Sequence, residues 1–120
     1  MRPAARLQTL SELLAETLSS RKAADFIVKQ WGRQNRFAGS KDRAAIRDYV
    51  FDVLRTRRSC AWHGRSAMGR GLMIGLLRGQ GIDPSTLFTG EGHAPALLVD
   101  YEIDLPEGEM PAADAAGIPR

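Results

Sequence analysis

With 120 residues, 43% of them hydrophobic and only two Trp and four Phe in the chain, this sequence can close one modest core, so it holds one domain at most, with residues to spare for a tail. A single cysteine, Cys60, excludes an intramolecular disulfide and the usual four-ligand zinc cluster; no N-terminal apolar run and no stretch of membrane-spanning length is present, so the chain reads as soluble and cytoplasmic, with no membrane partner. The net charge of +3 conceals a division: residues 21–78 carry fourteen Lys and Arg against four Asp, while residues 79–120 carry only Arg120 against eight Asp and Glu. A basic middle suits a polyanion, and the acidic end suits a solvated tail or a competitor for the same basic surface.

The first predicted helix starts near Pro3, which fits a first helical turn, presents Leu7, Leu10, Leu14 and Leu18 on one stripe, and ends near Ser19 or Ser20. A second, from about Lys22 to Arg33, points Ala24, Ile27, Val28 and Trp31 at the same core, with Gly32 close to its end; Gln34 to Gly39 then form a basic loop. Ser40 is the expected N-cap of the third helix and Asp42 faces the positive end of its dipole. Ile46, Tyr49, Val50, Val53 and Leu54 give the clearest helical periodicity in the chain, which predicts that this helix is the centre of the core. Beyond it, "SCAWHG" continues or turns the chain, and "RGLMIGLLRGQG" reads as a buried helix loosened by glycine. "DPSTLF" opens a short helix with Asp83 as N-cap and Pro84 in first position. From Thr89 onward the pattern predicts mostly loop, with "ALLVDYEI" able to form a short extended segment. "DLPEGEMPAADAAGIPR" is acidic, Pro-rich and poor in large apolar residues, as a linker is, and its end without a capped helix is what a piece of a longer protein would show.

At 100° per residue, the third helix places Arg43, Arg47, Phe51, Arg55 and Arg58 on a flank beside its apolar stripe. Arg33, Arg36 and Lys41 precede that flank, Arg57 stands between Arg55 and Arg58 in the sequence, and Arg65, Arg70 and Arg78 follow with little acidic compensation. Clustered guanidinium groups meet phosphate in bidentate fashion, so the candidate RNA-binding residues are Arg33, Arg36, Lys41, Arg43, Arg47, Arg55, Arg57 and Arg58. The competing reading is that Arg55, Arg57 and Arg58 complement the negative helix end while Arg43 and Arg47 are ordinary solvated charges.

No catalytic or metal constellation accompanies them. Cys60 and His63 are three residues apart without a second pair, and His93 stands alone, so a partly buried thiol and a solvated imidazole are expected. The glycines of "GRGLMIGLLRGQG" match neither a dinucleotide fingerprint nor a P-loop, and helix packing or loose caps explain them better. Asp100, Glu102, Asp104, Glu107 and Glu109 read as a solvated run. Phe51 and Trp62 could stack on unpaired bases, and Trp62 fits the core equally well.

"SKDRAAIRDYVFDVLRTR" resembles the "DR…V…VLR" helix of the all-helical, antitermination-factor NusB-like domain that precedes the catalytic domain in ribosomal-RNA cytosine-5 methyltransferases of the Sun, or small-subunit methyltransferase B, and nucleolar-protein family. "RPAARLQTLSELLAETL" is similar to that domain's first helix, and "RFAGSKDRA" and "LFTGEGHAPALL" resemble bacterial members; together the similarity covers roughly residues 2–98. The resemblance implies an RNA-binding or RNA-positioning domain attached to a Rossmann-like enzyme that uses S-adenosylmethionine and attacks cytosine with a Cys thiolate commonly preceded by Pro. Here Cys60 follows Ser59 and no cofactor loop exists, so catalysis does not transfer to this chain.

The expectation is therefore an all-α, NusB-like bundle of about five or six short helices over residues 1–90, followed by an acidic Pro-rich linker over 91–120. No catalytic residue, metal or cofactor is assigned within the chain itself. The expected partners are structured, ribosomal RNA and a C-terminal methyltransferase domain of the same protein. The alternatives are a helical protein-interaction module or stand-alone NusB-like transcription factor and, further off, a small independent enzyme.

Overall fold

The computed structural model describes residues 1–106, 108 and 110. Its described residues form six α-helices and no strand: α1 (Pro3–Ser19), α2 (Ala24–Gln34), α3 (Ser40–Arg55), α4 (Arg57–Gly64), α5 (Gly69–Gly79) and α6 (Asp100–Ile103), with a 3₁₀ turn at Pro84–Thr86. The fold is all-α, as the periodicities require.

The leucine stripe of α1 is buried, with Leu13 joining Leu7, Leu10 and Leu14. Ile27 and Val28 from α2 and Ile46, Val50 and Val53 from α3 close on the same cluster, with Trp31, Tyr49 and Leu54 packed partly buried around it. The most enclosed element, however, is α5 rather than α3: eight of its eleven residues are buried, from Gly69 to Leu77 with only Arg70 excepted. Its glycines are the reason. A Cβ on Gly75 would fall inside the carbonyl oxygen of Cys60, and one on Gly64 inside that of Gly71, so α4 and α5 touch backbone to backbone. Residues that lower helix propensity here permit an approach no alanine could make.

Helix boundaries follow local chemistry. Ser40 is the first residue of α3 and Gly39 occupies the N-cap without a side-chain bond. Asp42, in the first turn of α3, meets the Arg6 guanidinium (2.8 Å) and the Met1 amine (3.0 Å), which tie α1 to α3. These hydrogen bonds, Arg6 first, hold its carboxyl below the usual range. The backbone leaves helical geometry at Thr56 (φ −115°, ψ 28°), so α3 and α4 are separate helices and Arg57 and Arg58 belong to α4. Asp83 caps the 3₁₀ turn as expected, its carboxylate accepting from the Ser85 N–H at 3.0 Å with Pro84 in first position.

The segment after Thr89 departs from the expectation in one place. "ALLVDYEI" contains α6 instead of an extended stretch, and Glu102 is buried (6% exposed), not part of a solvated run. Arg70 explains both facts: its Nε donates to Glu102 Oε2 (2.7 Å) and its Nη2 to Oε1 (3.0 Å) and to the carbonyls of Ala96 (2.8 Å) and Leu97 (3.1 Å), while its guanidinium lies over the Phe88 ring. Arg78 adds bonds to the carbonyls of His63 (3.0 Å) and Glu102. Burial pushes the Glu102 carboxyl up, but Arg70 and the Val99 N–H (3.0 Å) outweigh it and hold the group below its ordinary value. Of the expected linker, Glu107, Glu109 and residues 111–120 lie outside the described residues.

Candidate nucleic-acid interface

Helices α2 and α3 meet through Ile27, Val28, Ile46 and Val50, which turns their polar faces outward on either side of a shallow groove. On α2, Lys29 and Arg33 are one turn apart; on α3, Arg43 and Arg47 repeat the spacing; Arg36 comes from the connecting loop. All five line the same groove of about 460 Å³, with Asp25 as its single carboxylate. Gly32 forms part of the floor, where a Cβ would stand 3.3 Å from Cδ of Arg43. The missing side chain lets the aliphatic stem of Arg43 lie close to α2 while its head stays in solvent.

The positive charge of the groove is only partly compensated. Lys29 pairs with Asp25 at 3.0 Å and Arg47 makes a long contact with Asp48 at 3.8 Å, both on exposed side chains where such pairs hold weakly. Among the described residues, Arg33, Arg36 and Arg43 form no ion pair, and all are exposed. Like charges this close repel one another within a Debye length of about 8 Å, so the arrangement costs the folded state a little and gains from an anion that bridges them.

Four of the eight residues proposed from the sequence, Arg33, Arg36, Arg43 and Arg47, thus converge. The other four do not line this groove. Lys41 is exposed in the first turn of α3. Arg55 pairs with Asp52 in the last turn of α3, roughly 12 Å along the axis from Arg47. Arg57 is exposed at the start of α4, and Arg58 beside it is half-buried, its Nε without a hydrogen-bond partner among the described residues. Lys29 was missing from the sequence assignment although its spacing from Arg33 was a usable signal. Phe37, 77% exposed in the α2–α3 loop, lies outside this groove and lines a separate cavity beside α1.

The remaining candidates take structural places. Phe51 and Trp62 are half-buried, and Trp62 meets His63 edge to face at 5.0 Å. Cys60 is buried against Thr56 Oγ1 at 3.3 Å, and burial pushes its thiol up, away from the thiolate a nucleophile needs. Among the described residues, no three His, Cys, Asp or Glu side chains gather as a metal site, and no helix is long and apolar enough to cross a membrane. Fold and site together define an all-helical domain with a cationic interhelical groove. No protein family, curated protein or solved structure matches the chain.

Proposed function

We propose that the chain is an RNA-binding helical module whose α2–α3 groove receives the phosphate backbone. The observation that carries this reading is the convergence of Lys29, Arg33, Arg36, Arg43 and Arg47 on one groove with a single facing carboxylate. Phosphate recognition needs forked, clustered positive charge on a fixed surface, and two packed helices supply the surface. Together with the resemblance of "SKDRAAIRDYVFDVLRTR" and the order of the helices, it supports an N-terminal, NusB-like module that holds structured ribosomal RNA for an S-adenosylmethionine-dependent cytosine-5 methyltransferase domain in the same protein. Cofactor and nucleophile belong to that domain, and this chain contributes positioning.

A second reading, a protein-interaction module, draws on one feature: Leu97, Tyr101, Ile103 and Leu105 are exposed together along the segment anchored by Arg70. Salt separates the two. RNA affinity measured by fluorescence anisotropy between 50 and 300 mM salt, roughly the range in which counterion release is steep, should fall by orders of magnitude. The Arg43→Glu/Arg47→Glu variant should bind more weakly, with a logarithmic slope flatter by roughly 0.7 to 0.9 for each phosphate contact removed. Salt-insensitive RNA binding, or a folded double variant with unchanged affinity and slope, would reject the groove as the RNA surface.

A further inference from the structure

We infer that the cleft between residues 81–88 and 97–105 is a docking site for a cationic amphipathic helix of a partner protein; this names the partner chemistry of that face and stands whether or not the α2–α3 groove binds RNA. Buried Pro84 and Phe88 lie at the floor of a cleft of about 760 Å³, and Ile82, Leu97, Ile103 and Leu105 line it toward solvent. Leu97, Val99, Tyr101, Ile103 and Leu105 are 47–72% exposed, the densest run of large apolar side chains on the surface among the described residues. Clustered apolar surface of this kind marks an interaction site. The backbone that carries it is held from beneath. Arg70 bonds the Ala96 and Leu97 carbonyls and the Glu102 carboxylate, Arg78 bonds the Glu102 and Ile103 carbonyls, and Leu98 packs against the core. Polar anchors thus fix the segment from inside and leave its apolar side chains outward, a pre-organised face that loses little freedom on binding.

Charge selects the occupant. Neither wall contains a Lys or Arg, and Asp83, Asp100 and Asp104 on these walls are exposed. Glu102 is buried against Arg70, and the Arg78 guanidinium is turned to backbone carbonyls. From α4's end, Arg65 approaches Asp104 only to 4.0 Å. An apolar cleft with an acidic rim repels phosphate and anionic lipid, and it complements apolar residues flanked by Lys and Arg. A symmetric second copy would bring the three aspartates against their own kind, which disfavours self-association. The occupant's shape follows from the backbone. The carbonyls of Ala96, Leu97, Glu102 and Ile103 already accept from arginine, so an added strand has little to pair with there. An amphipathic helix needs only the side-chain cleft, which takes its i, i+3, i+4 and i+7 anchors.

The test uses the full chain and two labelled synthetic helical peptides of about 18 residues, roughly five turns, with the same leucines at i, i+3, i+4 and i+7 and either Lys or Glu at the flanking positions. Fluorescence anisotropy should show the Lys peptide binding about 10-fold or more tightly than the Glu peptide. Leu97→Ser/Ile103→Ser should weaken the Lys peptide by about 10-fold or more, with the fold checked by circular dichroism, since both side chains are exposed. Asp100→Lys/Asp104→Lys should narrow the difference between the peptides. In the wild-type chain, amide shifts on adding the Lys peptide should centre on residues 82–88 and 97–105. Absence of Lys-peptide binding, or equal affinity for the two peptides, would overturn the partner chemistry. Unchanged binding in Leu97→Ser/Ile103→Ser, or shifts centred elsewhere, would rule out the cleft. A wild-type dimer in sedimentation that the same variant dissociates would mean that a second copy covers the face, and the proposal would fall. None of these readouts involves RNA, so a failure here leaves the α2–α3 groove reading standing.

Discussion

Arginine plays opposite parts on the two sides of this molecule. Around the α2–α3 groove, Arg33, Arg36 and Arg43 are exposed with no ion-pair partner among the described residues, and only Asp25 faces them. Around α5, Arg70 and Arg78 are half-buried and their guanidinium groups are engaged with Glu102, four backbone carbonyls of the 96–103 segment and that of His63. The same residue type is left available in one place and fixed in the other. A charge count over residues 21–78 adds the two together, although only the first kind is free to meet a ligand. The difference also divides the molecule energetically. The α5 side holds by interlocked backbone and the Arg70–Glu102 ion pair, so substitutions there should break the fold, whereas substitutions around the groove should leave it intact.

The largest expected effect tests the α5 side. Gly75→Ala forces a Cβ into the Cys60 carbonyl and must part α4 from α5, costing about 3 kcal/mol or more. Chemical denaturation followed by circular dichroism measures it, and a near-wild-type midpoint would mean the two backbones are not in contact. Next is Arg70→Ala, which leaves Glu102 buried without its main partner and should cost about 2 kcal/mol and expose the 97–103 segment to proteolysis. Equal stability would show that Arg70 is a surface charge like Arg43.

A smaller effect depends on pH. Because the folded-state pKa of Glu102 is held below the ordinary value of 4.5, its contribution to stability is present above that pH and is lost as pH falls through the folded value. Asp42 acts in the same direction from its ordinary value of 3.8. Urea midpoints should therefore fall from about pH 4.5 downward, and Glu102→Gln should flatten part of that slope while keeping Asp42's share. A variant with the wild-type slope would place Glu102 outside the linkage. The smallest effect belongs to the groove: Arg43→Glu and Arg47→Glu should each change stability by no more than about 0.5 kcal/mol, measured in the same denaturation experiment.

What was legible in the sequence follows a physical rule. Elements whose signal is local came through: the Leu stripe of α1, the Ile46–Val53 stripe of α3, and the Asp83–Pro84 start of the 3₁₀ turn. Features made by two segments meeting did not. The glycines of α5 were read as helix packing or loose caps without a partner, because the partner, the α4 backbone, is brought to them only by tertiary structure. Glu102 vanished into an acidic run because nothing in "VDYEID" distinguishes the carboxylate that Arg70 reaches across 32 positions. The projected flank extended to Arg58 because the break at Thr56 leaves no proline or glycine as a mark. The groove itself was half legible: α3 offered Arg43 and Arg47, but Lys29 gains meaning only once α2 packs alongside.

The contrast between available and engaged arginines is tested most directly by NMR chemical-shift mapping of the folded full chain titrated with a 12-nucleotide RNA, with the guanidinium Nε–Hε resonances followed one by one. The shifts should concentrate on Arg33, Arg36, Arg43 and Arg47, with the Lys29 amide moving alongside, while Arg70 and Arg78 remain in place. Shifts centred on Arg70, Arg78 and the α6 segment, with the groove silent, would contradict the assignment of the α2–α3 groove as the RNA surface.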